Sequence, residues 1–192
     1  GTMQHVPDII EGVHDSTENG ISMHTTDGCS IAGSDQTAKL QTTNCYYKEN
    51  YNSGCGSKLE AATIPNNYGK PLNDNGGGVY VTEWTASYVK HWFFPRGAIP
   101  PSITQGAPDI SQFGKPTVNQ QGPGCTIDEH FGNMNIIINT DFCGDWAGEV
   151  YAYFPNCPQN TAIASSRDRC VDYVGNNPAA FMEAYWDFNS IR

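Results

Sequence analysis

Two carboxylates near the start of the chain are the residues best suited to do chemistry. Asp8 and Glu11 flank Ile9-Ile10 in a segment, residues 8–14, that predicts a β-strand. Because side chains alternate along a strand, the two acids would ordinarily point to opposite faces. A β-bulge between them would bring both to one face, where a carboxyl among aromatic groups can act as a general acid. The alternative is an edge strand whose acids are simply exposed.

The histidines and Ser22 give weaker indications. His5, His14, His91 and His130 include no pair at the strand or helix spacing that binds a metal, so we predict no metal and no cofactor. Ser22 and His24 lie too close along one predicted strand to form a nucleophile and base with a third orienting group. A hydrolase triad is therefore not predicted.

These side chains must be positioned by strands. Period-two patterns predict an antiparallel hairpin, and turn residues separate several other short apolar segments. The predicted strands are residues 8–14, 20–26, 79–84, 87–94, 135–139, 147–154 and 185–191. A short helix is predicted near residues 178–183, and residues 27–77 and 95–124 are predicted loops. The pattern is typical of an all-β antiparallel sandwich or jelly roll in one unit.

Composition excludes several classes of protein. The 192 residues include 20 Gly and 12 Pro, which argues against a helical bundle or coiled coil. The net charge is −10 and the ten Lys and Arg are scattered, so no nucleic-acid partner is predicted. The longest apolar runs are a few residues, which excludes a membrane span. A neutral or cationic partner contacted by aromatic side chains remains.

Seven cysteines predict disulfides and a secreted protein, because such density is unusual in a reducing compartment. The odd number leaves one cysteine without a partner in the chain, so we expect three bridges and either one free thiol or one intermolecular bridge. Cys157 and Cys170 flank a polar loop, so we expect a disulfide between them to be geometrically easy to form. The opening Gly1-Thr2-Met3 is interpreted as a cloning remnant.

The segment from Asp8 to Val13 resembles the catalytic strand of glycoside hydrolase family 16, whose bulged pattern is Glu-x-Asp-x-x-Glu. Four further segments match in the family's order: Ser22 to Thr25, Tyr80 to Thr85, Asn135 to Asn139 with Gly144 to Gly148, and Tyr185 to Arg192. The resemblance covers nearly all of residues 8–192. It is closest to fungal laminarinase-like members, which are secreted endo-β-1,3(4)-glucanases.

The resemblance implies a concanavalin-like β-jelly roll with a β-glucan cleft and a retaining mechanism. Glu11 takes the acid/base place, Asp8 the place of the aspartate that tunes its neighbours, and His24 that of the cleft histidine. Trp146 and Trp92 take cleft-aromatic places, and the alternative for each is an ordinary core residue of the sandwich. Separately, Arg96 at the end of the hairpin could contact sugar hydroxyls, or lie in a solvated loop.

The departures from the family pattern concern the nucleophile and the N-terminus. The nucleophile's place falls on Val6, which cannot attack a carbon, and the next on Pro7. The family's N-terminal strands also have no counterpart, so residues 4–192 correspond to the C-terminal two thirds of the domain. We therefore expect absent or weak hydrolysis and a homodimer that covers exposed strands. The alternatives are a non-catalytic β-glucan-binding protein and a fragment without function.

Overall fold

The computed structural model describes residues 5–192, and the predicted cloning remnant lies outside this range. The chain forms two compact units. The first runs to Gly12 and continues from Ser16 to Met134, and the second comprises Val13–Asp15 and Asn135–Arg192. The first unit contains the strands: β1 Val6–Glu11, β2 Gly20–His24, β3 Lys39–Leu40, β4 Cys55–Lys58, β5 Gly78–Trp84, β6 Val89–Pro95 and β7 Val118–Gln120.

Helices are short in both units. The α-helices are α1 Gly69–Asp74, α2 Pro101–Thr104, α3 Ile127–His130, α4 Asp145–Val150 and α5 Ser166–Asn176. Single 3₁₀ turns occur at Asn50–Asn52, Arg96–Ala98, Ile110–Gln112, Tyr151–Tyr153 and Pro178–Phe181. None of the helices from residue 5 onward has the length and apolar character needed to cross a membrane.

The strands form two antiparallel sheets, with orders β1-β2-β4-β3 and β5-β6-β7. The predicted hairpin is present, and its register runs from Gly78 opposite Pro95 to Trp84 opposite Val89. The two predicted loops are less irregular than expected. Residues 27–77 contribute β3, β4 and α1, and residues 95–124 contribute β7.

A buried apolar cluster joins the two sheets. Ile21 of β2 packs with Phe93 of β6 and Val118 of β7, and Ala38 and Leu59 complete the cluster. Removal of these side chains from water stabilises the fold by roughly 1.5–3 kcal/mol for each large residue. The first unit is therefore an antiparallel sandwich, as the alternating strand patterns predict.

Three disulfides and one free thiol are present among the described residues, as the odd number of cysteines predicts. Cys29 bonds to Cys125, Cys45 to Cys55 and Cys143 to Cys170. Cys157 is free, so the expected closure of Cys157 onto Cys170 is wrong. Cys143 lies just before α4 and Cys170 on α5. Arg167 of α5 forms ion pairs with Asp145 and Glu149, which bring α4 and α5 together.

Three predicted strands of the second unit are wrong. In the described chain no strand pairs with residues 135–139 or 185–191, and a strand needs a partner for its backbone hydrogen bonds. Ile136, Ile137 and Ile138 are exposed rather than buried, so apolar character alone misidentified this segment. Residues 147–154 instead form the end of α4 and a 3₁₀ turn.

Local hydrogen bonds help to explain the two α-helices of the second unit. The Ser166 hydroxyl donates to the Gly148 carbonyl at 2.8 Å and accepts from the Ala152 N–H at 2.9 Å. Helix α5 begins after Ser165, whose side chain accepts from the Asp168 N–H at 3.2 Å. This Ser-x-x-Asp cap was a readable signal for a helix that the sequence analysis missed. The predicted helix at residues 178–183 is the 3₁₀ turn Pro178–Phe181.

Candidate active site

A β-bulge in β1 brings the two predicted catalytic carboxylates to one face. Asp8 lies opposite Ser22 and Glu11 opposite Gly20, so three steps along β1 match two steps along β2. The extra residue reverses the alternation that would otherwise separate Asp8 from Glu11. This is the arrangement that would allow both acids to act together.

Ser22 and His24 of β2 connect the two acids. His24 Nε2 lies 3.3 Å from Asp8 Oδ2 and 3.1 Å from the Ser22 hydroxyl oxygen. The Ser22 hydroxyl also lies close enough to the Glu11 carboxyl to lower its pKa. Asp8, His24, Ser22 and Glu11 thus form one continuous network, in which Ser22 bridges two polar groups rather than serving as a nucleophile.

The opposite nitrogen of His24 is held by a loop that the sequence analysis did not single out. His24 Nδ1 lies 3.1 Å from Asn52 Oδ1. Asn52 follows two other residues with left-handed φ, and the Cys45–Cys55 disulfide closes the loop. A side chain at Gly54 would place its Cβ 2.4 Å from the Met23 carbonyl, so the loop passes close to β2. The signal was present in two cysteines ten residues apart around an Asn- and Gly-rich segment.

The network favours a protonated His24. Burial by itself lowers the pKa of His24, but its hydrogen bond to Asp8 and the charges of Asp8 and Glu11 outweigh burial, with a further contribution from Asn52. The net effect is a raised pKa for His24. In the imidazolium form, Nδ1–H donates to Asn52 and Nε2–H faces Asp8 and Ser22.

Glu11 has the electrostatic character of a general acid. Burial raises its pKa, the nearby Asp8 carboxylate raises it further, and His24 and Ser22 oppose the increase only in part. The ring of Tyr68 helps to bury this part of β1, because a Cβ on Gly12 would lie 2.5 Å from Tyr68 Cε1. A carboxyl that retains its proton towards neutral pH can donate it to a leaving group.

Val6 occupies the position that the resemblance gives to the nucleophile. It lies opposite His24 and two residues before Asp8, so alternation places it on the same face of β1. Its isopropyl group offers no lone pair to an anomeric carbon. The network therefore contains a candidate acid but no carboxylate at the position from which a retaining enzyme attacks.

The remaining predicted sugar contacts lie in different environments. Trp92 is 3% exposed, packs at 5.7 Å against the Phe113 ring and donates to the Gly114 carbonyl, so its faces are enclosed, as the alternative of a core residue implies and a cleft-aromatic place does not. Trp146 on α4 of the second unit is 49% exposed and has a face available for a ligand. The Arg96 side chain donates from Nε to the Gly76 carbonyl at 2.8 Å and stays exposed.

One group of possible metal ligands occurs between residue 5 and the C-terminus. It comprises Cys29, Cys125 and His130. The two sulfur atoms are joined in a disulfide, which leaves the imidazole as the sole ligand of the three. A metal site needs several free donors, so this group does not form one in the oxidised protein.

Comparison with known proteins agrees with the geometry. A model of the XgeA-like catalytic domain of glycoside hydrolase family 16 matches residues 7–192. The chain is 47% identical over 186 residues to a probable endo-1,3(4)-β-glucanase of Aspergillus clavatus, covering 96% of this chain and 28% of the relative. It is 39% identical to the endo-1,3(4)-β-glucanase xgeA of Emericella nidulans, again over 96% of the chain and 28% of the relative. The chain thus spans less than a third of these relatives' length.

Solved structures show the same fold. A family 16 elongating β-1,3-glucosyltransferase superposes with a TM-score of 0.84 at 40% identity, over 94% of this chain and 58% of the other. Laminarinase 16A from Phanerochaete chrysosporium, with β-glucans in its donor and acceptor sites, gives 0.81 at 43% identity, over 94% and 59%. The all-β jelly-roll prediction is thereby confirmed, and the chain belongs to the XgeA-like group of glycoside hydrolase family 16.

Proposed function

We propose that this chain carries the acid/base half of a laminarinase-like endo-1,3(4)-β-glucanase site and binds β-1,3- or mixed β-1,3/1,4-glucan. The observation that supports this most strongly is the bulge in β1, which joins Asp8 and Glu11 to Ser22 and His24 in one network. The relatives are endo-1,3(4)-β-glucanases or probable ones, which points to the same substrates.

The two acids of the network have distinct roles in the proposed mechanism. Glu11 donates its proton to the departing glycosidic oxygen and later takes a proton from the attacking water. Asp8 raises the proton affinity of Glu11 through its charge and keeps His24 protonated. As glucan contacts separate from this network, Trp146 of the second unit packs against a sugar face and Arg96 of the first contacts hydroxyls. These last two assignments rest on exposure and residue type.

Turnover requires a second carboxylate roughly 5–5.5 Å from the acid in a retaining enzyme. Val6 stands at the corresponding position, so we propose that hydrolysis by this chain is absent or very weak. The rival function, a non-catalytic β-glucan-binding protein, is favoured by the same residue. We further propose that the protein is secreted, as its disulfides suggest, and assembles as a homodimer.

Restoring the missing attack tests the catalytic proposal. Val6→Ala makes room at the position of the nucleophile, and azide then attacks the anomeric carbon of 4-nitrophenyl β-laminaribioside while the bond to nitrophenolate breaks. We expect azide-dependent nitrophenolate release and an α-glycosyl azide from Val6→Ala. Wild type and the matched variant Val81→Ala, on β5, should give neither.

Two measurements on wild type separate the remaining functions. Binding to insoluble β-1,3-glucan without release of reducing ends from laminarin supports the proposal. Robust turnover that Glu11→Gln abolishes would show that some other carboxylate attacks. Absence of both binding and azide rescue would contradict the assignment of this face as a glucan site.

A further inference from the structure

Asn19 spans the bulge of β1 with a single side chain. This residue is fully buried and directly precedes β2. Its Oδ1 accepts the Glu11 backbone N–H at 2.8 Å, and its Nδ2 donates to the Ile9 carbonyl at 2.9 Å. The amide therefore binds one backbone donor and one backbone acceptor on either side of Ile10.

The two hydrogen bonds of the Asn19 side chain go to backbone groups of the kind that a bulge leaves without a ladder partner. An extra residue disrupts the ladder locally, and buried backbone groups require a hydrogen-bond partner. A carboxamide offers an acceptor and a donor on two separate atoms, whereas a hydroxyl carries both on one oxygen and a carboxylate or an aliphatic side chain has no donor. Asn19 thus replaces the ladder bonds that β2 itself cannot supply at this position.

Asn19 is itself held rigidly. Its backbone N–H donates to Asn67 Oδ1 at 2.6 Å, and its carbonyl accepts from the Leu59 N–H at 3.0 Å. Asn67 is also fully buried, and its Nδ2 donates to the carbonyls of Leu59 and Ile64 at 2.9 and 2.6 Å. Two buried asparagines therefore connect the bulge to the chain beyond β4.

We propose that Asn19 is a positioning residue for Glu11. By fixing the bulge it determines that the Glu11 carboxyl lies on the same face as Asp8, Ser22 and His24. It acts through the backbone of β1 and touches no reacting atom. Its relevance to proton transfer rests on the proposed function, whereas its effect on the register of Glu11 does not.

The test measures Glu11 in the free protein by NMR. In Asn19→Ala we expect exchange of the Glu11 amide to accelerate at least tenfold relative to the Met23 amide in the same sample. We also expect the pKa of Glu11 to fall towards its ordinary value, because the carboxyl leaves Asp8 and its buried position. A residue with a purely structural role would change the two amides together and leave the pKa of Glu11 unchanged.

The matched control is Asn119→Ala on β7, because Asn119 is also buried and its Nδ2 donates to the Ser34 carbonyl. Asn119→Ala should leave the ratio of the Glu11 and Met23 amide exchange rates, and the pKa of Glu11, as in wild type. Equal changes in both variants, or none in Asn19→Ala, would overturn the proposal.

A second variant decides the question if Asn19→Ala does not fold. Asn19→Asp keeps the acceptor for the Glu11 N–H but loses the donor to Ile9, so Glu11 amide protection should persist relative to Met23. Loss of that protection in Asn19→Asp would also overturn the proposal. No readout involves a glucan, so failure to bind β-glucan counts against the proposed function and not against this role of Asn19.

Discussion

The two units of the chain differ in how many of their apolar side chains are buried. Fifteen buried hydrophobic residues of the described chain lie in the first unit and two in the second, Tyr151 and Cys170. Exposed large hydrophobic residues show the reverse distribution, with three in the first unit and twelve in the second. The first unit has paired sheets that cover its apolar faces, whereas the second is built from short helices and irregular segments.

This difference shows that an apolar sequence pattern indicates side chains that need to be buried but does not decide which secondary structure they form. Val79 to Trp84 alternates and lies in a strand because β6 pairs with all six of these residues. Ile136-Ile137-Ile138 is equally apolar, yet in the part of the chain that is described nothing pairs with it. Whether a neighbouring strand pairs with an apolar segment decides whether that segment forms a strand.

The largest expected effect comes from a covalent link in the first unit. Cys29 and Cys125 are 96 residues apart, and in the chain-entropy model a loop of that length contributes about 4.7 kcal/mol. Cys143–Cys170 closes 27 residues and contributes about 3.5 kcal/mol by the same relation. Urea unfolding of Cys29→Ala/Cys125→Ala should therefore show a larger loss than Cys143→Ala/Cys170→Ala. The opposite order would mean that the second unit stabilises the chain more than its burial suggests.

A pair of isoleucines tests the contrast without covalent bonds. Ile21 is fully buried between the sheets, so Ile21→Ala should lower the free energy of unfolding by about 2–5 kcal/mol. Ile137 is 53% exposed, and Ile137→Ala should change it by at most about 0.5 kcal/mol. Thermal and urea unfolding check both values. A loss above 2 kcal/mol in Ile137→Ala would contradict the exposure of the second unit's isoleucines.

Predictions from the sequence were correct where residues close together in the chain indicate both the element and the strand that pairs with it. The hairpin of β5 and β6 was predictable from alternation across a short turn. Spacing alone left the bulge in β1 open, because an edge strand with exposed acids fits it as well, and the resemblance to a bulged catalytic strand pointed to the bulge that is observed. The count of bridges followed from seven cysteines in one chain.

What the sequence could not provide were contacts between distant segments. Asn19 and Asn52 act through backbone and ring atoms that lie near them only after folding. Trp92 shows the same limit, because alternation on β6 does not reveal whether the indole meets Phe113 or solvent. The helices α4 and α5 are joined by ion pairs of Arg167 across 18 to 22 residues of sequence, although the Ser165 cap was a local signal that could have been used.

A smaller effect is expected at the site itself. Because the folded protein raises the pKa of Glu11, it holds this proton at pH values where the unfolded chain, with a carboxyl pKa of about 4.3, has lost it. The native state therefore loses stability as pH rises through that interval. Glu11→Gln removes the effect, so it should be more stable than wild type at neutral pH.

The gain from Glu11→Gln should vanish below about pH 4, where the Glu11 carboxyl is protonated in both states. Melting temperatures at pH 3.5 to 7.5 measure this dependence, and Glu183→Gln, at an exposed acid, serves as the control. A pH-independent difference between wild type and Glu11→Gln would contradict the raised pKa of Glu11. Such a result would leave the first unit without the electrostatic feature that distinguishes its site.

Self-association tests the contrast between the two units most directly. It is also the prediction in which the stability of the monomer should change least. Contiguous exposed apolar groups favour contact with another molecule, and Ile136, Ile137 and Ile138 are 77%, 53% and 45% exposed. The net charge of −10 opposes unlimited aggregation, so we expect a homodimer by light scattering at micromolar concentration. Ile137→Asp should shift it to monomer, whereas Val171→Asp, at an equally exposed site on α5, should not. A monomer at every concentration would show that these isoleucines remain in solvent without a second copy to cover them.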